Sequence, residues 1–378
     1  MRILKGIIRK LLIPLFYIFR LFKIDNRKVL FLSYFGKGYG DNCKYIVESL
    51  QDCGLNLVWT VRRKNSQIPP EIKQVRMLSF RWFYEMSTAR VLINNCRMPS
   101  YVRKRRGQYY IQVWHGAFMF KKIEFDAPLE KNYVIAMKND NKMVDVMLSN
   151  SKFNTDKCRT AFRYSGKVLE VGTPREEALV KNKKAFSRKI REEFGLDNNT
   201  KIILYAPTFR NDYSKNPYDI DFSLLKRSFL KAKKKKCVVM VRLHPNVCNK
   251  KELIQNRNEV IDVTDYPDMQ ELLAACDILI TDYSSTMLEA LLVDKEVIIY
   301  ATDIDDYSKE RGYYFDFDEL PYPIAKNNKE LNGIIMKEYD KRKYNAFKRE
   351  LGIVDNSHCI DSIKKLIISY TGGLNGKK

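Results

Sequence analysis

Histidine is scarce in this chain, with three in 378 residues, so the setting of each one is informative. Cysteine is present but unpatterned. Cys43, Cys53, Cys96, Cys158, Cys237, Cys248, Cys276 and Cys359 form no C-x-x-C pair and no Cys/His cluster at zinc-ligand spacing. That argues against a zinc module and for reduced cytosolic thiols. No apolar run approaches the roughly 20 residues that a spanning helix needs. The basic and apolar N-terminal stretch is not followed by a small-residue cleavage site before Asp25-Asn26-Arg27-Lys28, so it is read as retained. Low complexity is confined to the basic runs at 231–236 and 103–106, both read as solvated charge.

Against these absences stand 45% apolar and 12% aromatic residues, enough to build sizeable cores despite 30% charged content. The length suits two domains better than one core. Lys and Arg outnumber Asp and Glu by 68 to 45, a formal charge of +23. Such a surface attracts polyanions without choosing among nucleic acid, anionic lipid and phosphate-rich substrates.

From residue 28 onward, short runs rich in β-branched residues alternate with segments of helical period, the text of parallel sheets with crossover helices. Strands are expected at 29–34, 57–61, 91–94, 110–114, 146–149 and 168–171, and a second series at 202–205, 237–243, 260–263, 278–281 and 297–300. Helical text lies between them, for instance at 43–53 and 153–162. The stretch 176–200 is charged, helix-prone and ends in Asp197-Asn198-Asn199-Thr200, which sets the boundary near residue 180. The expected fold is α/β, with two Rossmann-like doubly wound domains facing across a cleft, where the carboxyl ends of both sheets present the ligand. An amphipathic N-terminal helix precedes them, giving segments 1–25, 26–180 and 181–378.

At 100° per residue, Arg2, Lys5, Arg9, Arg20 and Lys23 fall on one side of the N-terminal segment. Ile3, Leu4, Ile7, Ile8, Leu11, Leu15, Ile18 and Phe22 lie largely opposite. Phe16 intrudes on the basic side and Pro14 kinks the helix. The pattern fits a helix lying on the cytoplasmic leaflet; the plainer reading is a helix packed on the first domain.

Two of the three histidines end strands. Ile111-Gln112-Val113-Trp114-His115-Gly116 delivers an imidazole and then a glycine, and Arg242-Leu243-His244-Pro245 closes its strand with a proline. A lone histidine is more often a satisfied core residue, but open α/β sheets place functional groups at strand ends. His358, in the helical tail, keeps the bland reading. The third constellation runs from Asp277 to Glu289: an apolar strand ends at Asp282, Ser284 and Ser285 open a helix, and Glu289 follows about a turn later. Hydroxyls and helix-start amides suit a diphosphate, and a carboxylate one turn in can reach ribose hydroxyls. Taken alone, the two serines would be read as an ordinary N-cap.

Together these stretches are similar to the CDP-glycerol:poly(glycerophosphate) glycerophosphotransferase family, whose fold resembles two-domain GT-B glycosyltransferases. The resemblance is carried by residues 28–50 (KVLFLSYFGKGYGDNCKYIVESL), 113–126 (VWHGAFMFKKIEFD), 168–175 (VLEVGTPR), 204–210 (LYAPTFR), 242–245 (RLHP), 280–285 (ITDYSS) and 299–316 (IYATDIDDYSKERGYYFD). It implies that His115 is the catalytic base and that His244, the second histidine of the catalytic set, holds the donor diphosphate with Ser284 and Ser285. On weaker grounds it makes Arg210 and Arg242 phosphate-side charges, with Asp282 and Glu289 completing the donor set. One departure stands out: the family's Trp-His-Gly-Thr-Pro is here Trp114-His115-Gly116-Ala117-Phe118, which bears on acceptor identity.

The reaction so implied is attack of an acceptor hydroxyl on the β-phosphorus of CDP-glycerol, with release of CMP and no cofactor. A lipid-linked saccharide or polyol-phosphate acceptor would place the enzyme on the cytoplasmic face of the membrane. Glycerol or ribitol donor, primase or polymerase, and wall polymer or capsule are all compatible with these motifs. No metal site is expected, since the acidic spelling Asp303-Ile304-Asp305-Asp306 is read as solvated loop. Two rivals differ in donor and in class. A GT-B hexosyltransferase would release nucleotide from a sugar donor, and a non-catalytic polyanion binder would rest on net charge alone without a nucleic-acid recognition motif.

Overall fold

The computed structural model describes residues 12–116, 121–210, 218–244, 247, 257–304, 312–338, 340–355 and 357–372. These form two compact units. The first takes the chain up to Gly116, Glu124–Glu177 and the segment from Ile353 onward; the second takes Ala178–Gly352 together with Lys121 to Ile123.

The first unit holds a seven-stranded, all-parallel sheet of β1 (Asp25–Leu32), β2 (Asn56–Val61), β3 (Lys73–Arg76), β4 (Ala89–Asn94), β5 (Tyr109–Gln112), β6 (Val146–Ser149) and β7 (Lys167–Glu170). The spatial order is β3-β2-β1-β4-β5-β6-β7. β1 from Lys28 onward and nearly all of β4 are buried because helices cover both faces, which is why such strands read as continuous apolar runs. The order reverses between β1 and β4, so the loops leaving those two strands diverge and open a crevice.

The second unit repeats the plan with β8 (Lys201–Tyr205), β9 (Cys237–Val241), β10 (Ile261–Asp262), β11 (Ile278–Thr281), β12 (Glu296–Tyr300) and β13 (Ile324–Ala325). Its strands are all parallel, in the order β10-β9-β8-β11-β12-β13, and reverse between β8 and β11.

The segmentation differs from the expected one at the C-terminus. The helix Cys359–Thr371 belongs to the first unit, where Cys359, Ile363 and Ile367 are buried in one core with Val29, Val47 and Val91. Its i, i+4, i+8 stripe needs an apolar partner, and that partner is the first sheet's helix layer around Asp41–Ser49. Strands β3 and β13 also lie outside the expected set. Both are edge strands, and β3, spelled Lys-Gln-Val-Arg, holds one apolar residue while β13 is only two residues long, too little apolar text to mark a strand.

Residues 1–11 of the amphipathic segment lie outside the described residues. Residues 12–18 are helical, and Phe16 is fully buried against Trp82 and Phe83, with ring centroids 6.1 and 5.1 Å away. The residue that broke the wheel is thus the one that docks. Ile18, Leu21 and Phe22 are exposed, Leu21 at 87%. The seven described cysteines are free thiols.

Candidate active site

In the first unit, loops after β1, β4, β5 and β7 converge on His115. Asn94 ends β4, and the next residue, Asn95, accepts from His115 Nδ1 at 2.6 Å through its carbonyl oxygen. A carbonyl only accepts, so the neutral imidazole carries its proton on Nδ1 and presents Nε2 as the basic nitrogen. Tyr34 and Trp114 flank the ring, with centroids 5.8 and 4.4 Å away. Burial lowers the His115 pKa and Arg175 adds to that, while the Asn95 carbonyl, Asp41 and Glu124 pull it up; the net direction is down. At neutral pH the ring is therefore an unprotonated base.

The turn that aims His115 is held by side chains. Trp114 sits at φ 48, a left-handed conformation that a bulky residue adopts only when its surroundings enforce it. Asn42 supplies that enforcement, donating from Nδ2 to the Val113 and Trp114 carbonyls at 3.0 and 3.1 Å while its Oδ1 accepts from the Arg175 amide. Arg175 Nη1 bonds Asp41 at 2.8 Å and the His115 carbonyl at 3.0 Å, and Asp41 also accepts from the Tyr34 hydroxyl at 2.5 Å. Below them, Arg97 forks onto Glu124 and Asp140, all three buried, and stacks over Phe162 at 4.7 Å. Asp41, Asn42, Asn95, Arg97 and Arg175 carry no chemistry in the sequence reading. The residues near 41 and 175 lie inside its similar stretches, but nothing local says that positions 134 apart form a salt bridge.

In the second unit the expected donor residues gather at the loops after β8, β9 and β11. Asp282 is buried directly after β11 and accepts from the Thr208 amide and from Arg210 Nη2 at 2.9 Å. Arg210 also bonds Asp303 through Nε and Nη2, at 2.7 and 3.1 Å, and covers the Tyr283 ring at 4.8 Å. Its planar fork is thus engaged with two carboxylates, which hold its pKa up against burial. Asp303, expected to be solvated, is instead tied to Arg210 and the Tyr283 hydroxyl. Asp305 and Asp306 lie outside the described residues, as do Ala117 and Phe118.

Ser285 occupies the N-cap position of the helix Thr286–Leu292, yet its side chain makes no capping bond. Ser284 does the local work, accepting from the Thr286 amide at 3.2 Å and donating to the Thr286 hydroxyl at 2.8 Å. Glu289 is buried, with Oε2 accepting from Gln270 at 2.7 Å. Arg242 and His244 extend past β9, held by Arg242 N to Tyr205 O and Leu243 N to the Thr264 hydroxyl. Desolvation, Lys121 and Arg242 together lower the His244 pKa, with Asp282 opposing. Among the described residues no group of three or more His, Cys, Asp or Glu side chains is arranged to hold a metal ion.

A family model described as CDP-Glycerol:Poly(glycerophosphate) glycerophosphotransferase matches residues 15–368. The teichoic acid poly(glycerol phosphate) polymerase of Staphylococcus epidermidis is 30% identical over 91% of this chain, which spans 51% of that protein. The teichoic acid glycerol-phosphate transferase of Staphylococcus aureus is 31% identical, with 82% of this chain and 83% of the relative covered. Among solved structures, the wall teichoic acid polymerase TagF superposes with a TM-score of 0.85 at 27% identity, covering 98% of this chain and 97% of that one. A TagF variant soaked with CDPG gives 0.82 at 26% identity, covering 98% and 96%.

Proposed function

As the chain belongs to the CDP-glycerol:poly(glycerophosphate) glycerophosphotransferase family, we propose that it transfers glycerol phosphate from CDP-glycerol to a hydroxyl of a lipid-linked acceptor in teichoic acid synthesis. The acceptor oxygen attacks the β-phosphorus while the bond to the CMP oxygen breaks. His115 Nε2 takes the hydroxyl proton, the product is a phosphodiester and CMP leaves. The observation that carries this reading is the Asn95 carbonyl on His115 Nδ1, which fixes the tautomer with the free lone pair on Nε2.

The second unit would meet the diphosphate with the Ser284 and Ser285 hydroxyls, His244 and the positive charge of Arg242 and Lys121. Arg210 would act through Asp282 and Asp303, by fixing the loops that carry those groups, and Glu289 through its place behind the serines. Charge-assisted bonds contribute roughly 1.5–3 kcal/mol each. Calorimetry with CDP-glycerol should therefore show about tenfold or greater loss of affinity in Ser285→Ala and in His244→Ala. Unchanged affinity in both would remove the donor from this site. Release of CMP from CDP-glycerol, measured beside CDP-ribitol and a sugar nucleotide, tests the activity itself; release from the sugar nucleotide alone would overturn it.

The acceptor is a lipid, and the exposed Ile18, Leu21 and Phe22 lie within a few residues of Arg20 and Lys23, close in sequence to the combination an interfacial segment uses. No helix among the described residues is long and apolar enough to cross a membrane. We place this face on the cytoplasmic leaflet. Ile18→Glu with Leu21→Glu leaves the buried Phe16 in place and should abolish flotation with anionic liposomes. Undiminished flotation of that variant would move the membrane contact elsewhere.

A further inference from the structure

The second unit carries a concave basic site away from the strand ends described above. It lies beside the helix Lys183–Glu193, at the amino ends of β11 and β12, and encloses about 770 Å³. Five cations line it: Lys183, Lys184, Arg188, Arg191 and Lys295. Its two acids are Glu192 and Asp197, and Asp197 is already spent on the Asn199 and Thr200 amides and the Thr200 hydroxyl.

Three of the cations are held in place by neutral partners. Lys183 Nζ donates to the Val293 carbonyl at 2.6 Å, Lys295 Nζ to the Ala274 and Cys276 carbonyls, and Arg191 to the Asp197 and Thr200 carbonyls. Carbonyl bonds fix where a charge sits without cancelling it. Asp277, which faces Arg191 at 3.7 Å, is shared with Lys201 at 2.6 Å. Lys184 and Arg188 stand one turn apart on the exposed side of the same helix, and neither has an ion pair among the described residues. Burial lowers the Lys295 pKa, and repulsion from Lys183 and Lys201 adds to that against the opposing pull of Cys276 and Asp277. The cluster repels itself, and a bound multivalent anion would relieve that.

We propose that this cavity is a second phosphate site, separate from the donor site, that takes consecutive phosphodiesters of a polyol-phosphate chain. The volume lies within the roughly 300–1,000 Å³ of small-ligand sites, which admits a short phosphodiester run. The polymer as source rests on the activity proposed above; a free phosphorylated small molecule presents the same oxyanions.

The test is titration of the full chain with a short poly(glycerol phosphate) oligomer and, separately, with inorganic tripolyphosphate, each with CDP present to occupy the donor site. Both should bind with a salt-sensitive affinity that falls tenfold or more in Lys184→Glu/Arg188→Glu, while turnover of CDP-glycerol on a monomeric acceptor stays within about twofold. Tighter binding of the oligomer identifies the polymer as the source, and equal or tighter binding of tripolyphosphate identifies a free phosphate ester. No binding of either, or binding that the double substitution leaves unchanged, overturns the site. Absence of CDP-glycerol turnover in the unsubstituted chain would count against the activity alone, because tripolyphosphate binding and its loss are read without it.

Discussion

His115→Ala is expected to fold normally and to lose about 10²- to 10⁴-fold in kcat, the usual contribution of a general base. The ring is anchored by one carbonyl bond and flanked by Tyr34 and Trp114, so its removal leaves no buried charge behind. Circular dichroism and thermal melting should match the unsubstituted chain. Near-normal turnover in the variant would remove His115 from the mechanism. The pH profile gives a second readout. Only the neutral ring accepts a proton, and burial holds its pKa down, so activity should fall on the acid side below histidine's ordinary value of about 6.5. Asp41 pulls that pKa up and Arg175 pushes it down. Asp41→Asn should therefore move the acid limb to lower pH, and Arg175→Met should move it to higher pH. A purely structural role for the pair would reduce activity without moving the limb.

Arg97→Met is expected to destabilise the first unit by about 3–5 kcal/mol, the cost of leaving a buried charge without its partner. Glu124 and Asp140 are buried and share this single guanidinium, with Asn141 as a further acceptor. Burial already raises the Asp140 pKa against the pull of Arg97, and without Arg97 it rises further. A carboxyl whose folded pKa lies above its unfolded value stabilises below the unfolded value and loses that contribution as pH rises. The deficit should thus be largest at neutral pH and shrink toward pH 4, about the ordinary carboxylate pKa. Denaturant melts at both pH values measure it. A deficit under about 1 kcal/mol at neutral pH, or one that grows on acidification, would show that the network is not held as a charge cluster.

Interior strands were legible because they are wrapped on both faces: Val29-Leu30-Phe31-Leu32 and Ile278-Leu279-Ile280 are apolar for that reason alone. The strands β3 and β13 were not, since Lys73-Gln74-Val75-Arg76 carries a single apolar residue and β13 is only two residues long. The two strand-ending histidines were also legible, because proline, glycine and an abrupt end to the apolar run mark the exit from a sheet. What locks them was not. Arg210 looked like a charge awaiting phosphate, yet its partners Asp282 and Asp303 lie 72 and 93 positions later, and pairing at that range leaves no local trace. Asp303 reads as one of a solvated acidic run for the same reason. Phe16 looked like an error in an amphipathic pattern because a helical wheel knows one interface, whereas this segment has a protein-facing side and an exposed one.

The helix Cys359–Thr371 closes the core of the first unit with the last part of the described chain. A nascent chain emerging from the ribosome therefore cannot finish its first sheet's covering when that sheet's strands appear. The second unit's sheet lies within one continuous stretch, Ala178–Gly352, and needs no such wait. Ile46 and Ile363 share that core across more than 300 positions, and closure over that distance is slow. The later-synthesised sheet is thus the one free to mature first, while the earlier unit stays open until Cys359–Thr371 has been made, its half-covered face exposed to chaperones and proteases in the meantime.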